Sequence, residues 1–277
     1  MTGPCFLGNS HLACLKLAAD RDPRLVPGGE TAWFAGSSSS MNGLKLEKGH
    51  CLAPRGERLK AQMAAVSGGI DRIDLTAHDL FVIVGIGLDY RDVFRLFRGH
   101  CLASDVAQGR QAGRAPVSAS FFRAFLADMH ATRPGERIAR QIRAVNPAAR
   151  VMILPAPYPS ETILDHAEAS GALAGLRGSD CFAQMVEIHL AAATRAAAAA
   201  GAELVPQDPA TLAAPGFTMA RYNAQAVGLQ SPHKAHAENW HGKKSAYDPW
   251  HMNAELGRMR LLDLARALDA RPLAATA

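Results

Sequence analysis

A serine near the start of the chain and a histidine–aspartate pair near its end could together perform nucleophilic catalysis. Ser10 follows the apolar residues Phe6 and Leu7 and a glycine, where a strand would turn into a helix. Asp248 lies three residues before His251. A serine hydroxyl needs a base within hydrogen-bond reach, and that base needs an orienting group. The two ends of the chain therefore supply a candidate nucleophile, base and orienting group.

Each of these residues also has an ordinary structural interpretation. Serine is a common N-cap, and Ser10 taken alone fits that role better than catalysis. His251 taken alone fits a packed or solvated histidine. The catalytic interpretation depends on the three residues occurring together in this order.

Histidines are concentrated near the end of the chain, where residues 229–253 include His233, His236, His241 and His251. A proline and a Gly-Lys-Lys stretch leave no helix to fix two of these imidazoles on one face. No cysteine and no H-E-x-x-H pattern lies beside them. We therefore expect a solvated loop here, with no metal and no cofactor.

Apolar runs predict five buried strands, and the glycines at the ends of the first three place the candidate residues at one sheet edge. The predicted strands cover residues 5–7, 31–36, 80–84, 151–154 and 204–206. Apolar residues at helical spacing predict helices between them. These helices cover residues 10–20, 59–66, 121–129, 138–145 and 179–200, and a terminal helix follows Asn253. Alternating strands and helices predict an α/β fold, a three-layer α/β/α sandwich with a mainly parallel five-stranded sheet.

The sequence predicts a single domain over residues 1–277. A peripheral hairpin is expected near residues 44–53, and a helix and covering loop near residues 90–117. In the helix near residues 121–129, the stripe formed by Phe121, Phe122, Phe125 and Leu126 is expected to be core.

The composition limits the class of protein. Of 277 residues, 48% are hydrophobic and 20% charged, a balance that argues against disorder. The net charge of +5 is spread along the chain and does not indicate a nucleic-acid partner. No apolar run is long enough for a membrane span, and no signal peptide is evident. The five scattered cysteines predict reduced, buried thiols in a cytoplasmic protein. Nothing specifies an oligomeric state.

Taken together, four sequence blocks resemble those of the SGNH (GDSL-like) hydrolases. They are Gly8-Asn9-Ser10-His11, Gly36 after the second strand, Gly85 after the third, and Asp248-x-x-His251. The resemblance covers nearly the whole chain and implies a flavodoxin-like sandwich with ester or acyl chemistry. It makes Ser10 the nucleophile, His251 the base and Asp248 the residue that orients the base. The backbone N–H groups of Ser10 and Gly36 would donate to the oxyanion.

Two positions depart from the family pattern. Asn9 stands where aspartate is usual, and Gly87 stands where an asparagine would supply a side-chain oxyanion donor. Losing one such donor typically costs about 10²- to 10³-fold in turnover. A backbone N–H at Gly87, or the side chain of Asn9, would compensate. Asn9 and Gly85 are otherwise expected to lie next to the catalytic residues and to hold them in position.

The leading hypothesis is a serine esterase that acts through an acyl-enzyme on a small or carbohydrate-linked ester. One alternative is an O-acyltransferase in polysaccharide modification, which passes the same acyl group to an alcohol. The other is a non-catalytic glycan-binding or assembly protein on the same fold, which the missing asparagine favours.

Overall fold

The structure is a computed structural model. It describes residues 3–36, 38–86, 90–106, 113–165, 176, 179–229, 241–243 and 248–270.

The described residues alternate between strands and helices along most of the chain. The α-helices are α1 (Leu12–Arg21), α2 (Glu57–Val66), α3 (Arg91–Gly99), α4 (Ala119–Ala131), α5 (Pro134–Val145), α6 (Asp180–Ala199) and α7 (Ala254–Asp269). The strands are β1 (Cys5–Gly8), β2 (Ala32–Ala35), β3 (Leu44–Glu47), β4 (Cys51–Pro54), β5 (Ile73–Asp74), β6 (Leu80–Val84), β7 (His100–Leu102), β8 (Ala115–Val117), β9 (Arg150–Leu154), β10 (Glu203–Leu204), β11 (Leu212–Ala214), β12 (Phe217–Thr218), β13 (Val227–Leu229) and β14 (His241–Lys243).

The central sheet has five parallel strands in the order β2-β1-β6-β9-β10. The predicted five-stranded parallel sheet is therefore confirmed. Its middle strands are continuous apolar runs because both faces of the sheet are covered. The last strand is shorter than predicted and ends at Leu204, although the next N–H, of Val205, still donates to the Ile153 carbonyl at 2.9 Å.

Alternate residues of the strands enter two different apolar cores. Leu7, Ile83 and Ile153 pack in one core with residues of α2, α5 and the end of α6. Their neighbours Phe6 and Val82 pack in the other core with residues of α1 and α7. Because successive side chains of a strand point to opposite faces, helices cover both faces of the sheet. This arrangement confirms the three-layer α/β/α prediction.

A third apolar cluster lies at the first half of α6, where α3 and α4 pack against it. It includes Phe122 and Leu126 from the stripe that was predicted to be core. The other two phenylalanines differ from that prediction, since Phe121 is 59% and Phe125 is 42% exposed. Only one side of α4 faces α6, so the buried stripe is narrower than the apolar one.

The predicted peripheral hairpin is formed by β3 and β4, which pair antiparallel. The turn between them places Lys48 and Gly49 at φ values of 50° and 75°. β5 then pairs with β4 as a third, short strand. In the predicted covering segment, α3 leads into β7, which pairs parallel with β8. Residues 107–112 of that segment lie outside the described residues.

Among the described residues, no helix is long and apolar enough to cross a membrane.

Candidate active site

The site begins where β1 ends. β1 lies between β2 and β6 in the sheet, so the next strand along the chain is on one side of β1 and the later strands are on its other side. The strand order therefore reverses at β1. In open α/β sheets, such a reversal of strand order leaves a crevice at the carboxyl ends of the strands, where ligands bind. The turn that carries Ser10 follows β1 directly and therefore lies at this crevice.

Asn9 ties the turn after β1 to the turn after β6. Its side-chain amide donates to the Gly85 carbonyl at 2.5 Å, and its Oδ1 accepts the His11 N–H at 3.0 Å. Gly85 has a φ of +67°, and a Cβ there would lie 2.4 Å from Asn9 Oδ1. Glycine is therefore required for this close approach. Both polar groups of Asn9 are therefore engaged in holding the two turns together.

The Ser10 hydroxyl contacts the candidate base. Ser10 Oγ lies 2.8 Å from His251 Nε2, although the two residues are far apart in sequence. The alternative role as a helix cap is not observed, because α1 begins after His11 and has no side-chain cap. The hydroxyl that an N-cap would have used is therefore hydrogen-bonded to His251.

Asp248 holds the other side of the His251 ring. Its two carboxylate oxygens lie 3.0 Å and 2.9 Å from His251 Nδ1. Because a carboxylate accepts, Nδ1 donates in this contact, and Nε2 of the neutral ring keeps its lone pair toward Ser10. Asp248 Oδ1 also accepts the backbone N–H groups of Trp250, at 3.1 Å, and His251, at 3.2 Å. The three residues form a continuous Ser–His–Asp relay.

Asn223 clamps the loop that carries the base. Its side-chain amide donates to the Asp248 carbonyl at 2.6 Å and to the His251 carbonyl at 2.7 Å. Two carbonyls three residues apart are thus held by one side chain, which fixes the spacing of Asp248 and His251. The sequence does not predict this contact, because nothing in the local pattern of Asn223 shows which distant loop it reaches.

Close packing of two helices brings the two ends of the chain together. α1 follows the Ser10 turn, and α7 follows the His251 loop after Asn253, whose side chain caps α7. A Cβ at Gly257 of α7 would lie 2.0 Å from the Cys14 carbonyl of α1. The two backbones therefore touch at this position, which seats the base loop beside the nucleophile turn.

The His11 ring stacks on the His251 ring. The ring centroids lie 5.1 Å apart, with 19° between the planes. The side chains of His251 and Asp248 remain 14% and 17% exposed, so the relay is reachable from solvent. His11 was predicted only as part of the nucleophile block, and its contact with the base is a finding of the structure.

The expected oxyanion donors have different outcomes. Among the described residues, no acceptor is found for the Ser10 N–H. The Gly36 N–H, in contrast, donates to the Gly8 carbonyl at 3.1 Å and continues the pairing of β1 with β2. This corrects the expectation that it points at an oxyanion. Packing explains the glycine at position 36, since a Cβ would lie 2.6 Å from atoms of Leu59 and Ser40. Gly87 lies outside the described residues.

The histidine-rich loop adds nothing to the described site. His233 and His236 lie outside the described residues, and only the backbone of His241 is described. Within the described part of the chain, the group of side chains with three metal-binding atoms in mutual reach is His50, Cys51 and Asp74. That group belongs to the β4–β5 region and not to the relay.

Comparisons with known proteins find distant structural likenesses. The chain is similar to an extracellular lipase from Streptomyces rimosus, at 14% identity over 96% of this chain and 100% of that chain, with a TM-score of 0.46. It is similar to phospholipase A1 from Streptomyces albidoflavus, at 13% identity over 95% and 99% of the chains, with a TM-score of 0.45. A possible lipase from Chitinophaga pinensis gives 12% identity over 96% and 97%, with a TM-score of 0.37.

No protein-family model and no curated protein matches the chain. The interpretation of the site therefore rests on its own contacts.

Proposed function

We propose that the chain is a serine ester hydrolase that works through an acyl-enzyme. The observation that carries this proposal is the relay itself, in which Ser10 Oγ lies 2.8 Å from His251 Nε2 and His251 Nδ1 lies 2.9 Å from Asp248. The residues also match the blocks of the SGNH hydrolases that the sequence resembles. Contacts of this kind are what nucleophilic catalysis by serine requires.

In the first half of the reaction, Ser10 Oγ attacks the ester carbonyl while His251 Nε2 takes its proton. Asp248 keeps the ring in the tautomer that presents a lone pair at Nε2, and it stabilises the imidazolium that forms. The negative charge on the carbonyl oxygen is met by the Ser10 N–H, beside the N-terminus of α1, where the helix dipole favours an anion. His251 then gives its proton to the departing alcohol, and an ester between Ser10 and the acyl group remains.

In the second half, water attacks this ester while His251 takes a proton from the water. Collapse of the second tetrahedral intermediate returns the proton to Ser10 Oγ and releases the acid. The substrate we propose is a small or carbohydrate-linked ester, and transfer of the acyl group to an alcohol acceptor remains the alternative. The geometry weighs against a non-catalytic binding protein, because binding alone requires no oriented serine, histidine and aspartate.

We also propose a cytoplasmic location. All five cysteines are buried free thiols. Buried reduced thiols are the usual state of cysteines in that compartment.

The test is covalent labelling with a fluorophosphonate, read by intact-protein mass. The wild type should gain one adduct, and Ser10→Ala should gain none and lose at least about 10³-fold in turnover of short aryl esters. Ser120→Ala is the matched control, because Ser120 is an exposed serine on α4. Ester turnover that survives in folded Ser10→Ala would contradict the assignment.

A further inference from the structure

Outside the relay, three potential metal ligands of different chemistry meet on the small sheet of β3, β4 and β5. A ring nitrogen of His50, the sulfur of Cys51 and a carboxylate oxygen of Asp74 all lie within 4.8 Å of one another. Ligands of one tetrahedral Zn²⁺ lie about 3.3 to 3.8 Å apart, given bonds of 2.0 to 2.3 Å. Small side-chain rotations would close the remaining difference.

The backbone holds these three residues together on two sides. Cys51 and Asp74 are direct partners in the antiparallel pairing of β4 with β5. The His50 carbonyl accepts the N–H of Leu75 at 2.9 Å, so the pairing continues past Cys51. Ligands on a paired sheet are better positioned than ligands on a loose turn.

The partners of His50 and Asp74 orient them as metal ligands are usually oriented. His50 Nδ1 lies 2.8 Å from the Lys48 carbonyl and must donate there, which leaves the lone pair of the neutral ring on Nε2. Asp74 Oδ1 accepts from the backbone N–H and the hydroxyl of Thr76, at 2.8 Å and 2.7 Å.

We propose that His50, Cys51 and Asp74 form a binding site for a thiophilic divalent cation, Zn²⁺ first among them. Imidazole, thiolate and carboxylate are the donors that Zn²⁺ takes in proteins, and a water would complete the tetrahedron. The cation joins β4 to β5, because its ligands come from both strands. The thiol of Cys51 releases its proton to solvent when the metal–sulfur bond forms. Spacing along the chain does not predict this site, because Asp74 meets Cys51 only through the pairing of β4 with β5.

This proposed metal site and the relay lie at opposite ends of strand β6. Asp74 lies shortly before β6 begins at Leu80, whereas the relay lies beyond the carboxyl end of that strand. We therefore expect the cation to stabilise the protein and to leave ester turnover unchanged. Failure of this proposal would leave the proposed hydrolase function untouched.

The chain contains its own matched control. The pentapeptide Gly-His-Cys-Leu-Ala occurs at residues 49–53 and again at residues 99–103. In the second copy, His100 Nδ1 also meets a backbone carbonyl, that of Leu96, at 3.2 Å. Within the described residues, however, no third ligand completes a metal-binding group there. The two copies therefore differ in the residues that pair with them: Asp74 lies opposite Cys51, whereas no aspartate is among the residues of β8 that pair with β7.

The experiment is a Co²⁺ titration of the full chain after removal of bound metal, followed by Zn²⁺ competition. Wild type should develop the near-ultraviolet thiolate-to-cobalt charge-transfer band, and Zn²⁺ should abolish it. Cys51→Ala should lose the band. His50→Ala and Asp74→Asn should weaken Zn²⁺ binding more than about 100-fold, beyond the 10- to 100-fold typical of outer partners. His100→Ala and Cys101→Ala should behave as wild type.

Melting temperatures provide the second readout, since a ligand that binds only the folded state raises them. Zn²⁺ should raise the melting temperature of the wild type and Cys101→Ala but not that of Cys51→Ala. Absence of the band in wild type, or an equal band in folded Cys51→Ala, would overturn the proposal. If Cys51→Ala does not fold, unchanged Zn²⁺ affinity in His50→Ala and Asp74→Asn would overturn it equally.

Discussion

Two regions of this molecule each combine a histidine with a carboxylate, and they treat the pair in opposite ways. In the relay, His251 and Asp248 are partly exposed, and each has directed hydrogen-bond partners. At the corner between α4 and α5, His130 and Glu136 are fully buried. Among the described residues, neither ring nitrogen of His130 and neither carboxylate oxygen of Glu136 has a hydrogen-bond partner.

The α4–α5 corner shows what burial does without such partners. Burial, with Arg133 adding to it, lowers the pKa of His130 to about 4. Burial also raises the pKa of Glu136 to about 7, against the smaller opposing effects of its own backbone N–H and of Arg133 and Arg140. Arg133 itself is hydrogen-bonded to Asp92. The ring of His189 lies 4.9 Å from that of His130.

The comparison shows that residue type alone does not make an acid–base device. Burial without partners disfavours both charged forms, so both groups of the corner are mainly neutral between about pH 4 and pH 7. In the relay, N–H groups donate to the Asp248 carboxylate, and the lone pair of His251 is aimed at the Ser10 hydroxyl. Orientation by partners therefore separates the two regions.

The largest expected effect comes from removing the orienting charge in the relay. Asp248→Asn should lower kcat/KM for an aryl ester by about 10³- to 10⁴-fold, because the amide no longer fixes the tautomer or stabilises the imidazolium. Steady-state kinetics would measure the loss, and circular dichroism would show the fold unchanged.

The matched control is Asp20→Asn, which removes a surface carboxylate of α1 that pairs with Lys16. Exposed pairs contribute little, so its activity should remain at the wild-type level. If Asp248→Asn lost less than about tenfold, His251 would not depend on its partner in the way that the relay requires.

The next effect is on stability and belongs to the corner. Because the pKa of Glu136 is raised from 4.5 to about 7 by folding, the folded state binds more protons than the unfolded state between these values. This glutamate therefore destabilises the fold progressively as the pH rises from about 4.5 to about 7. Relative to wild type, Glu136→Gln should gain about 3 kcal/mol in free energy of unfolding across that window.

Urea unfolding at a series of pH values would measure this difference. Comparison of the variant with wild type cancels the opposite contribution of His130, whose lowered pKa makes stability rise with pH between about 4 and 6.5. Glu187→Gln, at an exposed position on α6, controls for the loss of one formal charge. A difference for Glu136→Gln that stays flat with pH would show that the corner is hydrated or paired.

Much of the fold and of the relay could be predicted because local patterns determine them. The apolar run at Leu80–Val84 indicates a strand buried on both faces, and the glycines after the strands mark turns at one edge. Ser10, Asp248 and His251 occur along the chain in the same order as the matching blocks of the SGNH hydrolases, so they could be singled out from the sequence.

What could not be predicted depends on partners that are distant in sequence. Asn223 is one example, since its two acceptors lie on a loop that arrives later in the chain. Gly36 is another, because residue type does not reveal which carbonyl its N–H meets. Phe121 and Phe125 are a third example, because the apolar stripe of α4 is wider than the face that packs, and the sequence does not show which of its residues are buried. The position of Asp74 opposite Cys51 could not be predicted either, because it depends on the pairing of β4 with β5.

The smallest expected effect concerns the ring that lies on the base. The stacked contact of His11 with His251 should limit rotation of the base away from Ser10. Aromatic pairs contribute about 0.5 to 1.5 kcal/mol, so His11→Leu should lower kcat/KM by about 2- to 10-fold. His11→Phe keeps a ring that can stack and should recover most of that loss. Both variants keep the backbone N–H that donates to Asn9.

The pH profile of kcat/KM distinguishes stacking from charge. If His11 acts as a stacking surface, the Phe variant should have the wild-type profile and the Leu variant a uniformly lower one. If instead the charge of His11 influences the base, both variants should shift the acidic limb of the profile equally. Equal activity in the Leu and Phe variants and wild type would mean that Asp248 alone orients the base, which would sharpen the contrast between the relay and the α4–α5 corner.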